Sequence, residues 1–302
     1  MSGQVTYLQF HLAFLLPVLL VLTSVYAVRR RQSRVTIHST DAAATTWRNY
    51  WVGVAIITVV ALAYTTPWDN FLIGRGVWWY GDAATIATVW RAPVEEYLFI
   101  LVQPLVTALW VSHLSLRPAW PTASHPRGDR LLAVAAAVAI GLVGWRFLAT
   151  DATFYLGAIL AWAAPVLALQ WGVGAPQLWD RRRTVALGTL VPTLYLCLAD
   201  RLAIEYGIWI IAEQYTTGLT VLGLPVEEAT FFLVTNLFVV QGLVLYRLVV
   251  ARWDRDGGAA RGNRSPEQQR DRPRNAVHAT APEWANEDAQ NERGPTDGGQ
   301  SR

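Results

Sequence analysis

The tetrapeptide Pro93-Val94-Glu95-Glu96 recurs letter for letter as Pro225-Val226-Glu227-Glu228, and each copy opens a long apolar run. Two adjacent carboxylates leading into a membrane-length segment are costly to keep in lipid, so their duplication points to proton chemistry in or beside the bilayer. The apolar runs decide the fold class. The chain has 302 residues, of which 53% are hydrophobic and 16% charged, with 15 Trp, and this is the profile of an integral membrane protein.

Working outward from the repeated motif, seven segments can cross a hydrocarbon core of ~30 Å at ~1.5 Å per residue. They are Tyr7 to Val28, Asn49 to Thr66, Val94 to Leu116, Leu131 to Ala149, Phe154 to Val173, Thr184 to Ile204 and Val226 to Val250. Arg29, Arg30, Arg31 and Arg34 follow the first segment rather than precede it, so that segment reads as a retained helix and not a signal peptide. Arginine clusters also fill the loop with Arg117, Arg127 and Arg130, the loop with Arg181, Arg182 and Arg183, and the C-terminal tail, whereas the intervening loops carry few. The positive-inside rule then places the N-terminus outside and the C-terminus in the cytoplasm, with the protein multi-pass in the cell membrane. Arg75 and Arg91 run against the pattern, accompanied by Asp69 and Asp82. The stretch Val77 to Ala92, turning at Gly81-Asp82, reads as a short β-hairpin on the outer side.

The similarity of the two motifs extends upstream at a constant offset. Tyr64 falls on Tyr195, Asp69 on Asp200, Gly76 on Gly207 and Trp78 on Trp209; downstream, after one inserted residue, Phe99 falls on Phe231 and Leu105 on Leu237. Spans one to three therefore correspond to spans five to seven. The predicted fold is an all-α polytopic membrane protein of seven transmembrane helices. Two parallel three-helix repeats, residues 1–116 and 153–250, are joined by a linker with span four, residues 117–152. A three-span unit ends on the face opposite its start, so span four restores the orientation and brings both acidic motifs to one side. Residues 251–302, rich in Arg, Asp, Gly, Asn and Gln, are expected to be a disordered cytoplasmic tail.

A single Pro-x-Glu-Glu would be explained as an ordinary helix start, with proline at the first turn and acids at the positive end of the dipole. The duplication, the Asp near the end of each preceding span and the convergence of six acids on one boundary favour a site. The candidate catalytic residues are Glu95, Glu96, Glu227, Glu228, Asp69 and Asp200. Neighbouring helix positions point ~100° apart. The stripe through Glu96 reaches Gln103 and Thr107, and that through Glu228 reaches Thr235, whereas Glu95 and Glu227 run toward Val102 and Val234. The second Glu of each pair is thus the better candidate for the interior, where a desolvated carboxyl beside another acid can hold a proton and act as general acid. Of the aromatic residues crowding the region, most suit an interfacial belt. Trp78, Trp209, Phe99 and Phe231 are candidates to stabilise a carbocation through their ring faces.

Several classes are excluded. The 25 basic residues are all Arg, so no lysine exists for a retinal Schiff base. His11 and His113 stand alone in separate spans and form no cluster of the kind iron-dependent membrane oxygenases require. Gly74-Arg75-Gly76 and Gly172-Val173-Gly174 do not continue into a dinucleotide fingerprint, and no Asp-rich magnesium motif is present. No cofactor and no metal are predicted. The single Cys197 forms no framework, and the Arg excess fits membrane orientation, with no nucleic-acid partner.

The segments Pro93-Val94-Glu95-Glu96-Tyr97-Leu98-Phe99 and Gly223-Leu224-Pro225-Val226-Glu227-Glu228-Ala229-Thr230-Phe231-Phe232, with the Asp69 and Asp200 segments ending in Gly-x-Trp, resemble the membrane-integral lycopene β-cyclases of archaea and of the actinobacterial heterodimeric type. The resemblance covers about Tyr7 to Val250 and implies two related halves fused in one chain. The activity it implies is an isomerising, intramolecular-lyase type of cyclisation that turns each acyclic ψ-end of lycopene into a β-ionone ring. β-Carotene would form by way of γ-carotene, without redox change. Partners on this reading are lycopene, membrane lipid and other carotenoid-pathway enzymes. Glu96 and Glu228 are expected to share the acid and base roles, with Glu95, Glu227, Asp69 and Asp200 tuning them. The competing reading is a proton-coupled small-molecule transporter of three-one-three repeat architecture, whose acids would belong near the bilayer midplane rather than at the ends of spans.

Overall fold

A computed structural model describes residues 5–36, 40–114 and 127–262. Among them are seven helices long and apolar enough to cross a membrane: α1 (Tyr7–Gln32), α2 (Arg48–Arg75), α3 (Val94–His113), α4 (Gly128–Phe147), α5 (Asp151–Asp180), α6 (Arg182–Glu205) and α7 (Val226–Val250). Six short strands lie at one end of the bundle: β1 (Trp78–Tyr80), β2 (Thr88–Val89), β3 (Ala92–Pro93), β4 (Trp209–Ile211), β5 (Thr220–Val221) and β6 (Leu224–Pro225). The protein is therefore an all-α polytopic membrane protein with minimal β structure.

Three helices run well past their expected ends, and one strand pairing differs from the sequence reading. The second span does not stop at Thr66 but continues through Pro67 to Arg75, because an unbonded carbonyl in a lipid-embedded bundle is costlier than one missing donor. Asn70 supports the continuation by donating to Thr66 O at 2.9 Å. Asp69 consequently sits inside a helix. The fifth span likewise runs past Val173 to Asp180, through a kink at Gly174. The seventh helix extends beyond Val250 to Gly262, so the start of the expected disordered tail is helical; lengthening an existing helix needs no new nucleus. The rest of the tail, from residue 263, and the proline-rich loop 115–126 lie outside the described residues.

The fourth difference concerns strand pairing. The expected hairpin across Gly81-Asp82 does not form. Trp78–Tyr80 instead pairs antiparallel with Trp209–Ile211, in the register Trp78↔Ile211, Trp79↔Ile210 and Tyr80↔Trp209. Trp78 and Trp209 are equivalent by sequence, so equivalent residues exchange places across the ladder, as a local two-fold requires. The hairpins that do form are tighter: β2 with β3 around Trp90-Arg91, and β5 with β6 around Leu222-Gly223. Each lies immediately before a Pro-Val-Glu-Glu helix.

Other pairs repeat this correspondence. α2 and α6 both end on a left-handed glycine, Gly76 (φ 76°) and Gly207 (φ 67°). In each, the next residue bonds back into the last turn, Val77 N to Leu72 O at 3.1 Å and Ile208 N to Ala203 O at 3.0 Å, the geometry in which glycine avoids a Cβ clash. Tyr64 donates to Trp162 O at 2.8 Å, and its counterpart Tyr195 donates to Phe14 O at 2.6 Å.

Polar side chains tie the bundle together below the strands. Asn236 Oδ1 accepts from Gln103 Nε2 at 2.7 Å and Thr107 Oγ1 at 2.6 Å, while Asn236 Nδ2 donates to Thr193 Oγ1 at 3.1 Å. All four side chains are buried, and they join α3, α6 and α7. The predicted stripe from Glu96 through Gln103 and Thr107 does face the interior. Asn236→Ala leaves three buried groups short of a partner, and about 1–3 kcal/mol is expected for each group so stranded. The expected outcome is a lower thermal midpoint in detergent for this variant than for the lipid-facing control Leu142→Ala; equal midpoints would contradict the role given to the network.

Candidate active site

The repeated helix starts divide their two glutamates between different tasks. Glu95 is buried and accepts from the backbone N–H of Ile86 at 2.9 Å; Glu227 is buried and accepts from the backbone N–H of Thr217 at 2.8 Å. Each therefore clamps the segment leading into its own hairpin against the helix start. In each half, the residue after the chamber aspartate holds the hairpin itself. Asn70 Oδ1 accepts from Arg91 N at 2.8 Å and Ala92 N at 3.0 Å, and at the equivalent position Arg201 Nε donates to Leu222 O at 3.3 Å.

Glu96 and Glu228 point the other way. Together with Asp69 and Asp200 they line one chamber beneath the β1–β4 ladder. The helix ends bring them there: the start of α3 and α7 supplies the glutamates, and the last turns of α2 and α6 supply the aspartates. Trp78, Trp209, Phe99 and Phe231 line the same chamber. Of the ten residues singled out from sequence, eight thus converge, and Glu95 and Glu227 stand behind them.

The chamber also contains groups that the sequence reading passed over. Tyr7 donates to Glu96 Oε2 at 2.8 Å and Tyr80 donates to the same oxygen at 3.1 Å, while Trp78 Nε1 donates to Tyr80 Oη at 3.2 Å. Tyr155 approaches Glu228, and the Trp209 indole approaches Asp200. Tyr7 opens α1, and Tyr155 lies near the start of α5. The only sequence signal for them is a tyrosine near the start of spans one and five, outside the part of the repeat that aligns. Burial first, and then the nearby carboxylate of Glu96, lifts the Tyr80 phenol well above its ordinary value of 10.0, so Tyr80 stays a hydroxyl donor at any physiological pH.

Two carboxyl oxygens facing this region, Asp69 Oδ2 and Asp200 Oδ2, are buried without a hydrogen-bond partner. Buried polar atoms are rarely left so, and an unengaged acid is suited to giving a proton to carbon, which offers no lone pair. The aromatic wall is continuous. Trp68 stacks on Phe231 with centroids 5.7 Å apart at 6° and on Trp162 at 4.8 Å, presenting ring faces that favour positive charge. Beside the chamber, Arg75 sits 4.2 Å from the Phe154 ring centroid and 3.5 Å from Asp151, linking the end of α2 to the start of α5. His11 bonds Tyr7 O at 2.9 Å through Nδ1, and His113 lies 3.3 Å from Leu22 O; each has a local structural contact.

Carboxyl groups from both halves, phenol donors and an aromatic wall thus meet in one chamber of a seven-helix membrane bundle. The chain belongs to the lycopene cyclase family, whose profile matches residues 35–114 and 152–246. It is 59% identical over 203 residues to proteins called lycopene beta-cyclase from two strains of Halobacterium salinarum, an alignment spanning 67% of this chain and 84% of the relative. It is 31% identical over 240 residues to the bifunctional lycopene cyclase/phytoene synthase of Blakeslea trispora, covering 76% of this chain and 37% of that protein. With the protein of the same name from Phaeosphaeria nodorum it shares 35% over 209 residues, 64% of this chain and 35% of that protein. No solved structure matches the chain.

The division between the glutamates is testable by stability. Glu95→Ala and Glu227→Ala each strand a backbone N–H and are expected to lower unfolding free energy by about 1–3 kcal/mol. Glu96→Gln, which keeps shape and hydrogen-bonding capacity, is expected to leave the thermal midpoint nearly unchanged. A midpoint loss for Glu96→Gln as large as that for Glu95→Ala would contradict the assignment.

Proposed function

We propose that this chain is a lycopene β-cyclase that converts the ψ-ends of lycopene to β-ionone rings by proton-initiated, non-redox cyclisation. The observation that carries the reading is the single chamber in which Glu96, Glu228, Asp69 and Asp200 meet the faces of Trp68, Phe99 and Phe231, in a chain of the lycopene cyclase family.

The steps use only what the chamber offers. A proton added to the terminal double bond gives a tertiary cation. The electrons of the neighbouring double bond close the six-membered ring, moving the charge to another tertiary carbon. Loss of a ring proton restores a double bond, so product and substrate are isomers. One acid and one base suffice. Two phenol donors on one oxygen suit Glu96 to the base role, since they stabilise its charged form. The donor side is Glu228 with Asp200, where phenol support is thinner. Asp69 sits beside Glu96, and ring faces stabilise the cation between the two sides. Glu95 and Glu227 position the helix starts and do not touch substrate.

The Arg distribution supports an orientation with the N-terminus outside, the C-terminus cytoplasmic and the chamber at the outer face of the cell membrane. The two three-helix repeats, residues 1–116 and 153–250, then lie parallel, joined through residues 117–152, and contribute equivalent acids to one site. The substrate comes from the bilayer, supplied by other carotenoid-pathway enzymes, and presents its ends in turn. The proton-coupled transporter is the less favoured reading, because the acids gather in an aromatic chamber at the helix ends.

A chain with both Glu96→Gln and Glu228→Gln, expressed in a lycopene-making host, is expected to leave the cells red, with β-carotene reduced at least about 100-fold. Chromatography of the extracted pigments gives ring number and ring type in the same measurement. Undiminished β-carotene from the double variant would overturn the assignment, and absence of any ring product from the unmodified chain would overturn the cyclase reading itself.

A further inference from the structure

A second cavity, of about 160 Å³, runs along the bundle between α2, α3, α5 and α7. It shares Phe99 and Phe231 with the acid chamber, so the two spaces adjoin at a pair of phenylalanines that are equivalent in the repeat. The lining continues along α7 to Gly242, which at ~1.5 Å per residue is about 21 Å from Glu228. Its outer rim is formed by Ile56 and Val60 of α2, exposed to the surroundings of the bundle at 50% and 59%.

The chemistry of the lining is that of a hydrocarbon site. Most positions are aliphatic or aromatic, and the polar ones have turned their donors into the protein. Gln103 donates to Asn236 at 2.7 Å, Gln170 to Phe238 O at 2.9 Å, Thr235 to Phe231 O at 2.9 Å and Tyr64 to Trp162 O at 2.8 Å. The Trp162 indole N–H and Gln170 Oε1 are the exceptions, buried without a partner. A lining that is mostly apolar, with most of its donors engaged within the protein, suits a hydrocarbon chain far better than a polar solute.

We propose that this groove holds the conjugated chain of the substrate and is its lateral entrance from the lipid between α2 and α5. The inference rests on the cyclase reading of the chamber. One end group sits among the carboxyls, the chain passes Phe99 and Phe231, and the remainder lies along α7 toward Gly242. Both ends of a symmetrical substrate then use this path one after the other, with release and re-entry between the two ring closures.

Two plugs test it. A Cβ at Gly242 already comes within 3.1 Å of Ile57 Cδ1, so Gly242→Leu fills the groove from one wall, and Ala61→Phe fills it from the other. The purified full chain is assayed in detergent with lycopene and with a shortened acyclic apo-carotenoid that keeps one ψ-end but stops near Phe231. Each plug is expected to cut conversion of lycopene about tenfold or more and to leave conversion of the short substrate within about twofold. Unimpaired lycopene conversion in both variants, or equal loss on both substrates, would overturn the groove assignment. If the unmodified chain converts neither substrate, the cyclase reading fails instead, so the two failures are distinguishable.

Discussion

A carboxyl group placed inside a lipid-embedded helix bundle must be accounted for by its immediate partners, and this requirement organises the whole strand-bearing end of the molecule. Each half carries two adjacent glutamates at a helix start, and helical geometry forbids both from facing the same way. Glu95 and Glu227 each take a backbone N–H from the incoming loop, Ile86 or Thr217, and so hold the hairpins over the bundle. With the hairpins held, β1 and β4 can pair across the two halves. The roof this makes brings Trp78, Tyr80 and Trp209 down onto the remaining acids. The clamp and the chamber are therefore one construction, in which the first glutamate makes the position of the second possible.

The two halves are alike in plan and different in detail, and the differences bear on function. Glu96 has two phenol donors, Tyr7 and Tyr80, whereas the strand position equivalent to Tyr80 is Ile211, which leaves Glu228 with Tyr155 alone. An acid and a base are needed from two groups of the same kind, and unequal hydrogen bonding is the simplest way to separate their roles. A duplicated scaffold supplies the matched acids, and departures from the duplication supply direction.

Much of this was legible in the sequence, for reasons that can be traced to particular residues. The seven spans follow from apolar length alone, and the convergence of Asp69, Asp200, Glu96 and Glu228 follows from the repeat together with the parity of spans. The preference for Glu96 and Glu228 came from the stripe to Gln103 and Thr107, which the Asn236 network places in the interior. What was not legible has a common cause, namely dependence on contacts between distant segments. Trp78–Tyr80 has strand character, but only the tertiary arrangement shows that its partner is Trp209–Ile211. Pro67 reads locally as a helix stop, and the penalty of an unbonded carbonyl in lipid reverses that. Tyr7 and Tyr155 precede the part of the repeat that aligns, so nothing marked them as donors to the glutamates.

The most direct test of the central claim, that carboxyl groups of this chain start the reaction by protonating carbon, is cyclisation by the purified protein in heavy water with ordinary lycopene as substrate. Acid-initiated ring closure adds one deuteron and removes one proton for each ring, so mass spectrometry should find one added mass unit in γ-carotene and two in β-carotene. Products without added deuterium, formed at an undiminished rate, would contradict the account.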